Sequence, residues 1–179
     1  PPCTLCNYLG FPPEEGVIYP PAVPVLRESM KVLILGGYGA MAQSTVPDLL
    51  ESPGVQRVGI AGRNLDKAKA FANLWKDDRA VPMKVDARDN DALKREFKNW
   101  DCVINSAWYD LNVPIMDCAI KAGIHYIDLG GLYHQALRQL KMAKQAKDAG
   151  VWVFRLSCTS TIFLAFGKWI SARSRRIFA

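Results

Sequence analysis

The sequence predicts an α/β fold, a doubly wound parallel sheet with helices on both faces. Three observations carry that expectation. Short apolar runs alternate with helical stretches of roughly 10–15 residues from Met30 to Val153, the pattern of βαβ units. The runs themselves are nearly continuous in apolar residues, as strands buried on both faces require. Turn signals, among them Ser52-Pro53-Gly54, Gly123 and Gly150, separate the elements.

The elements follow in order. KVLILG (31–36) is the first strand, and a helix over 40–51 follows it. Pro47 inside that helix predicts a kink or an early end, because it lacks the N–H that would continue the ladder. QRVGIAG (56–62) is the second strand. Asn64 is placed to cap a helix over 65–76, in which Ala68, Phe71, Ala72 and Trp75 recur at helical spacing. AVPMKV (80–85) is the third strand, and Pro82 marks it as an edge. Asp89 caps a helix containing Leu93 and Phe97. DCVIN (101–105) is the fourth strand, before a helix over 112–122 closed by Gly123. HYIDLG (125–130) is the fifth. A long amphipathic helix over 133–148 ends at Gly150, and VWVF (151–154) begins the sixth strand.

The 179 residues, half of them hydrophobic, suffice for one core. They divide into three regions. Residues 1–29 hold seven of the eleven prolines and are expected to form an extended, disordered leader outside that core. Residues 30–154 form the predicted domain. Residues 155–179 form a basic, apolar tail without a single acid, read as a truncated or aberrant end. The net charge of +6 belongs mostly to that tail, since Arg155, Lys168, Arg173, Arg175 and Arg176 supply +5. A nucleic-acid binder would spread basic groups over a folded face, so nucleic acid is not an expected partner.

Neither a secretory signal nor a membrane span is expected. The apolar run 162–166 is too short to cross a bilayer. The five cysteines are odd in number and scattered, and the Cys3–Cys6 pair has no second pair at zinc spacing. Cys102 and Cys118 read as small buried hydrophobes in a reduced, cytoplasmic protein.

The chemistry is carried by the turn behind the first strand. In LGGYGAMA, Gly37, Gly39 and Ala42 satisfy G-x-G-x-x-G/A between a strand and a helix. The first glycine permits the tight turn, the second lets backbone approach a pyrophosphate, and the small third residue lets helix pack on strand. Ala40 and Met41 then open a helix whose free N–H groups and dipole attract phosphate. This is the dinucleotide fingerprint of a Rossmann sheet. At the end of the second strand stands Arg63, where an acid would bind the ribose hydroxyls of NAD. A guanidinium pairs bidentately with a 2′-phosphate instead, and Asn64 adds donors. The cofactor expected is NADP, with NAD the poorer fit. Asp86 and Ala87, in VDARD (85–89), fall beside the expected adenine. Ser106 and Ala107, in INSAWYD (104–110), fall at the topological switch point expected for nicotinamide. Tyr109, Asp110, His125 and Asp128 are expected near its mouth without an assigned catalytic role.

These motifs together resemble the NADP-binding N-terminal domain of the saccharopine dehydrogenase-like family. The resemblance rests on VLILGGYGAMA, IAGRNLDKA, VDARD, the long stretch DCVINSAWYDLNVPIMDCAIKAGIHYIDLGG and AKDAGV. It implies an NAD(P)-dependent oxidoreductase acting on an amino-acid-derived secondary amine. It also implies cofactor roles for Gly37, Gly39, Ala40, Met41, Arg63, Asp86, Ala87, Ser106 and Ala107. In such relatives the sixth strand leads through a Pro-Gly turn into a substrate and dimerisation domain. Here VWVF runs into RLSCTSTIF, so the second domain is expected to be missing and activity to be slight. The amino-acid-like substrate and a homodimer are then expectations for the intact family. A noncatalytic NADP sensor or partner-binding module is the competing reading. A short-chain dehydrogenase is disfavoured, because none of the six tyrosines is followed four residues later by lysine.

Overall fold

The computed structural model describes residues 29–155. The leader before Ser29, the Cys3–Cys6 pair and the tail beyond Arg155 lie outside the described residues. Six strands form one sheet: β1 (Met30–Leu35), β2 (Val55–Gly62), β3 (Ala80–Lys84), β4 (Cys102–Asn105), β5 (His125–Asp128) and β6 (Val153–Arg155). Their order is β3-β2-β1-β4-β5-β6, and every neighbouring pair is parallel. This is the doubly wound Rossmann arrangement that the alternation predicts. β1 lies between β2 and β4, with Leu35 beside Ala61 on one side and Asn105 on the other. The chain leaves β1 and β4 toward opposite faces, so a crevice opens between their C-terminal ends.

Two apolar layers cover the sheet. On one face α1 (Ala42–Glu51) and α2 (Leu65–Asn73) pack Val46, Leu49, Ala68 and Ala72 against Val32, Ile34, Ile60 and Ile104. On the other, α3 (Asn90–Phe97), α4 (Asn112–Ala122) and α6 (Ala143–Asp148) pack Leu93, Phe97, Ile115 and Ala146 against Leu33, Leu35, Val103 and Tyr126. Each fully buried Val, Leu or Ile contributes about 1.5–3 kcal/mol, which is why the strands read as unbroken apolar runs. α5 (Tyr133–Leu140) lies beside α4.

Capping follows the sequence closely. The Asn64 side chain accepts from the Lys67 N–H at 3.0 Å, and Asp89 accepts from Asp91 and Ala92 at 3.0 Å each. Gly123 closes α4 in the left-handed conformation, φ 72°. Pro82 falls on the edge strand β3, where its position is harmless. The Val85 N–H bonds to the Gly62 carbonyl at 3.0 Å. Alternation then turns the odd-numbered N–H groups toward β2 and the even positions outward, so Pro82 removes no ladder bond.

The first helix ends at Glu51 as expected, with no early end at Pro47; the carbonyl left without a donor belongs to Gln43, which is exposed. Three other elements are corrected. α2 stops at Asn73 rather than 76, because the N–H groups of Leu74 and Trp75 tighten to i−3 bonds and Lys76 turns left-handed, φ 50°. The helix expected over 133–148 is two helices, broken at Lys141–Met142, where Met142 donates to Gln139 at i−3. Strand six begins at Val153, because Val151 donates to the Ala146 carbonyl and Trp152 to His125 Nδ1.

Candidate functional site

The loop between β1 and α1 is bound on both sides. Gly37 donates its N–H to the Ala61 carbonyl at 2.9 Å, and Ser106 donates to the Leu35 carbonyl at 2.9 Å. The left-handed residue is Gly36, φ 76°, and not the first glycine of the predicted fingerprint. A Cβ on Gly36 would stand 2.8 Å from the Ser106 carbonyl oxygen and 2.9 Å from the Ala107 nitrogen. Gly36 therefore makes the turn and lets it press against the end of β4. Gly37 serves close approach instead: its Cβ would meet Ile34, Ile60 and Ala61 backbone at 2.9 Å.

The predicted cradle is open where a pyrophosphate would enter. Gly39 and Ala40 are exposed, and a Cβ on Gly39 would touch only the Gly36 carbonyl, at 3.2 Å. Met41 is the N-cap of α1, and Ala42 is fully buried beneath the helix. Among the described residues the N–H groups of Ala40 and Met41 have no acceptor, the condition of a free first turn. The Ser106 hydroxyl is buried without a hydrogen-bond partner, one of four such side-chain atoms among the described residues. Narrow glycine backbone, free N–H groups and an unpartnered hydroxyl at the switch point are what a dinucleotide would use, so these residues fit one.

At the end of β2, Arg63 and Asn64 are both exposed, and the Asn64 side chain is spent on capping α2. Tyr38, which sequence reasoning did not single out, reaches across from the glycine loop. Its hydroxyl accepts the Asn64 N–H at 3.1 Å, and its ring covers Gly62 so closely that a Cβ there would lie 2.3 Å from Tyr38 Cε1. At the end of β3, Asp86 is held by Arg88 at 2.9 Å. The Arg88 side chain, then its backbone N–H, hold the Asp86 carboxyl down to about 2, and the nearby charge of Arg63 adds to this. Ala87 is half-buried against the core beside it.

The family model of the saccharopine dehydrogenase NADP binding domain matches residues 32–154. The chain belongs to that family. Its dinucleotide is NADP. Among solved structures, saccharopine dehydrogenase (L-Glu forming) from Saccharomyces cerevisiae superposes with a TM-score of 0.62 at 22% identity, over 71% of this chain and 27% of that one. A 3-ketoreductase from Actinomadura kijaniata, solved with TDP-benzene and NADP, gives 0.55 at 22% identity, over 69% and 37%. The WlbA dehydrogenase from Chromobacterium violaceum, solved with NADH and UDP-GlcNAcA, gives 0.58 at 16% identity, over 79% and 38%. These likenesses establish the fold. The chain spans between about a quarter and two fifths of the length of these proteins.

The NADP binding domain places the predicted mouth residues unequally. Asp110 is exposed and accepts from Trp108 Nε1 at 2.9 Å and Gln135 Nε2 at 3.2 Å. Tyr109 stacks on Trp108 with centroids 4.7 Å apart. Asp128 ends β5 but is wholly buried, accepting from the Gly130 N–H at 2.7 Å and Gln139 Nε2 at 2.5 Å. Beside it, Asn105 donates to Asn112 at 2.6 Å, and Asn112 donates to the Gly130 carbonyl at 2.9 Å. The expectation for His125 is wrong. It starts β5 opposite Cys102, at the far end of the sheet from the crevice, and burial pushes its pKa down. β5 is only four residues long, yet ligands lie beyond the C-terminal ends of such strands, so its first residue falls on the wrong side of the sheet. A cavity of about 310 Å³ also lies away from the glycine loop, lined by Lys31, Arg57, Lys98 and Trp100 among others.

Among the described residues no helix is long and apolar enough to cross a membrane, and no cluster could hold a metal ion.

Proposed function

We propose that this domain serves an oxidoreductase of the saccharopine dehydrogenase type acting on an amino-acid-derived secondary amine, and that alone it binds NADP with little turnover. In this reading Gly37, Gly39, Ala40 and Met41 hold the pyrophosphate, Arg63 and Asn64 the 2′-phosphate, Asp86 and Ala87 the adenosine, and Ser106 and Ala107 the nicotinamide. Bound NADP supplies hydride exchange. The chain's own residues bind and orient it: backbone N–H groups at the start of α1 face the phosphates, the Arg63 guanidinium meets the extra charge, and the Ser106 hydroxyl offers a proton or a lone pair at the switch point. The observation that carries the reading is the open glycine cradle flanked by exposed Arg63. Cytoplasmic location and a homodimer of the intact enzyme belong to the same proposal.

A specific observation favours the noncatalytic alternative. The carboxylates nearest the switch point are already engaged, Asp110 by Trp108 and Gln135, and Asp128 by Gly130 and Gln139. Calorimetric titration of NADP and NAD into the parent and Arg63→Asp tests the cofactor half. NADP should weaken about tenfold to a hundredfold while NAD holds or improves. Equal losses for both would remove Arg63 from the site. Sustained NADPH oxidation with a keto acid and an amino acid would favour the enzyme over the sensor.

A further inference from the structure

We infer that Tyr38 is a specificity-determining residue, donating its phenol proton to the 2′-phosphate beside Arg63. The inference rests on the cofactor placement proposed above and assigns a new residue to it.

The Tyr38 ring lies on the bare backbone of Gly62, and a Cβ at Gly62 would come within 2.3 Å of Cε1 and 2.7 Å of the hydroxyl oxygen. Only glycine leaves room for the ring there. The hydroxyl then accepts the Asn64 N–H at 3.1 Å. The tyrosine thus touches the residue before Arg63 and the residue after it, so its oxygen is fixed beside the Arg63 backbone. Gly62 ends β2 and Asn64 caps α2, whose N-terminal dipole favours an anion.

The direction of that bond decides the chemistry. A phenol oxygen that accepts an N–H still carries its own proton. Among the described residues that proton has no acceptor, while the ring is wedged between the glycine loop and the strand end. A 2′-phosphate oxygen bound by Arg63 is an acceptor of the right charge at the right place. Hydrogen bonds to an ionised acceptor are roughly twice as strong as neutral ones, so the phenol discriminates NADP from NAD. Tyr38 and Gly62 stand 24 residues apart in sequence and act as one device.

The test uses Tyr38→Phe, which keeps the ring on Gly62 and removes only the hydroxyl. NADP and 2′,5′-ADP should bind about tenfold more weakly, while NAD and 5′-AMP change less than about twofold. Gly62→Ala, which displaces the ring, should lower NADP preference in the parent but not further in Tyr38→Phe. Thermal melts of both variants establish that they fold. A parent that prefers NADP together with an unchanged Tyr38→Phe, or a variant that loses NADP and NAD equally, would overturn the assignment alone. A parent that binds the two cofactors equally would overturn the cofactor placement and this assignment together.

Discussion

Arg88 grips the carboxylate of Asp86 through Nε at 3.1 Å and a terminal nitrogen at 2.9 Å, and its backbone N–H adds a third bond at 3.0 Å. The carboxyl titrates near 2 in consequence. Because the folded value lies below the usual 3.8, the contact stabilises the fold above about pH 4 and is lost as pH falls toward about 2. Thermal melts between about pH 5 and 2 should therefore drop less steeply in Asp86→Asn than in the parent. Both groups are substantially exposed, so the effect at neutral pH is small.

Gly36 and Gly123 share a left-handed backbone, φ 76° and 72°, but not a neighbourhood. Alanine at Gly123 meets nothing within 4 Å and pays only backbone strain, about 1 kcal/mol. Alanine at Gly36 meets the Ser106–Ala107 backbone below 3 Å and should cost at least about 2–3 kcal/mol. Denaturant titration of the two variants should rank them in that order, and only Gly36→Ala should also weaken NADP.

Buried Asp128 depends on its donors. Gln139→Leu removes one and leaves a buried carboxyl oxygen without its donor, which should cost about 1–3 kcal/mol. Asp128→Asn should cost about 1–2 kcal/mol at most, because the Gln139 amide can turn over and accept from the new Nδ2. Urea midpoints of the two variants and their double mutant should show strong coupling.

His125 is held neutral by burial, so its pKa falls below the ordinary 6.5. The unfolded chain then binds the proton first, and the fold loses stability as pH drops below about 6.5. His125→Gln should flatten that part of the stability profile, read from urea midpoints between about pH 8 and 5.

Most of the fold was legible because each strand carries its apolar run and each helix its cap: Asn64, Asp89 and Gly123 act as their residue types predict. Pro82 announced an edge. The errors lie where a tertiary bond overrides local pattern. Val151 and Trp152 look like strand but spend their N–H groups on Ala146 and His125. The glycine motif located the cradle, yet the division of labour between Gly36 and Gly37 depends on Ser106, seventy residues onward. Tyr38 was invisible for a similar reason, since its meaning lies in the missing side chain of Gly62.

The outward-facing nitrogen of Pro82 also limits how copies of this domain can meet. A strand from another molecule arriving at β3 would find a gap in the row of donors that sheet growth needs, with Lys84 beside it exposed to solvent. Fibril-like stacking through that border is thereby discouraged. A symmetric pairing of two domains through their helices or loops meets no such gap.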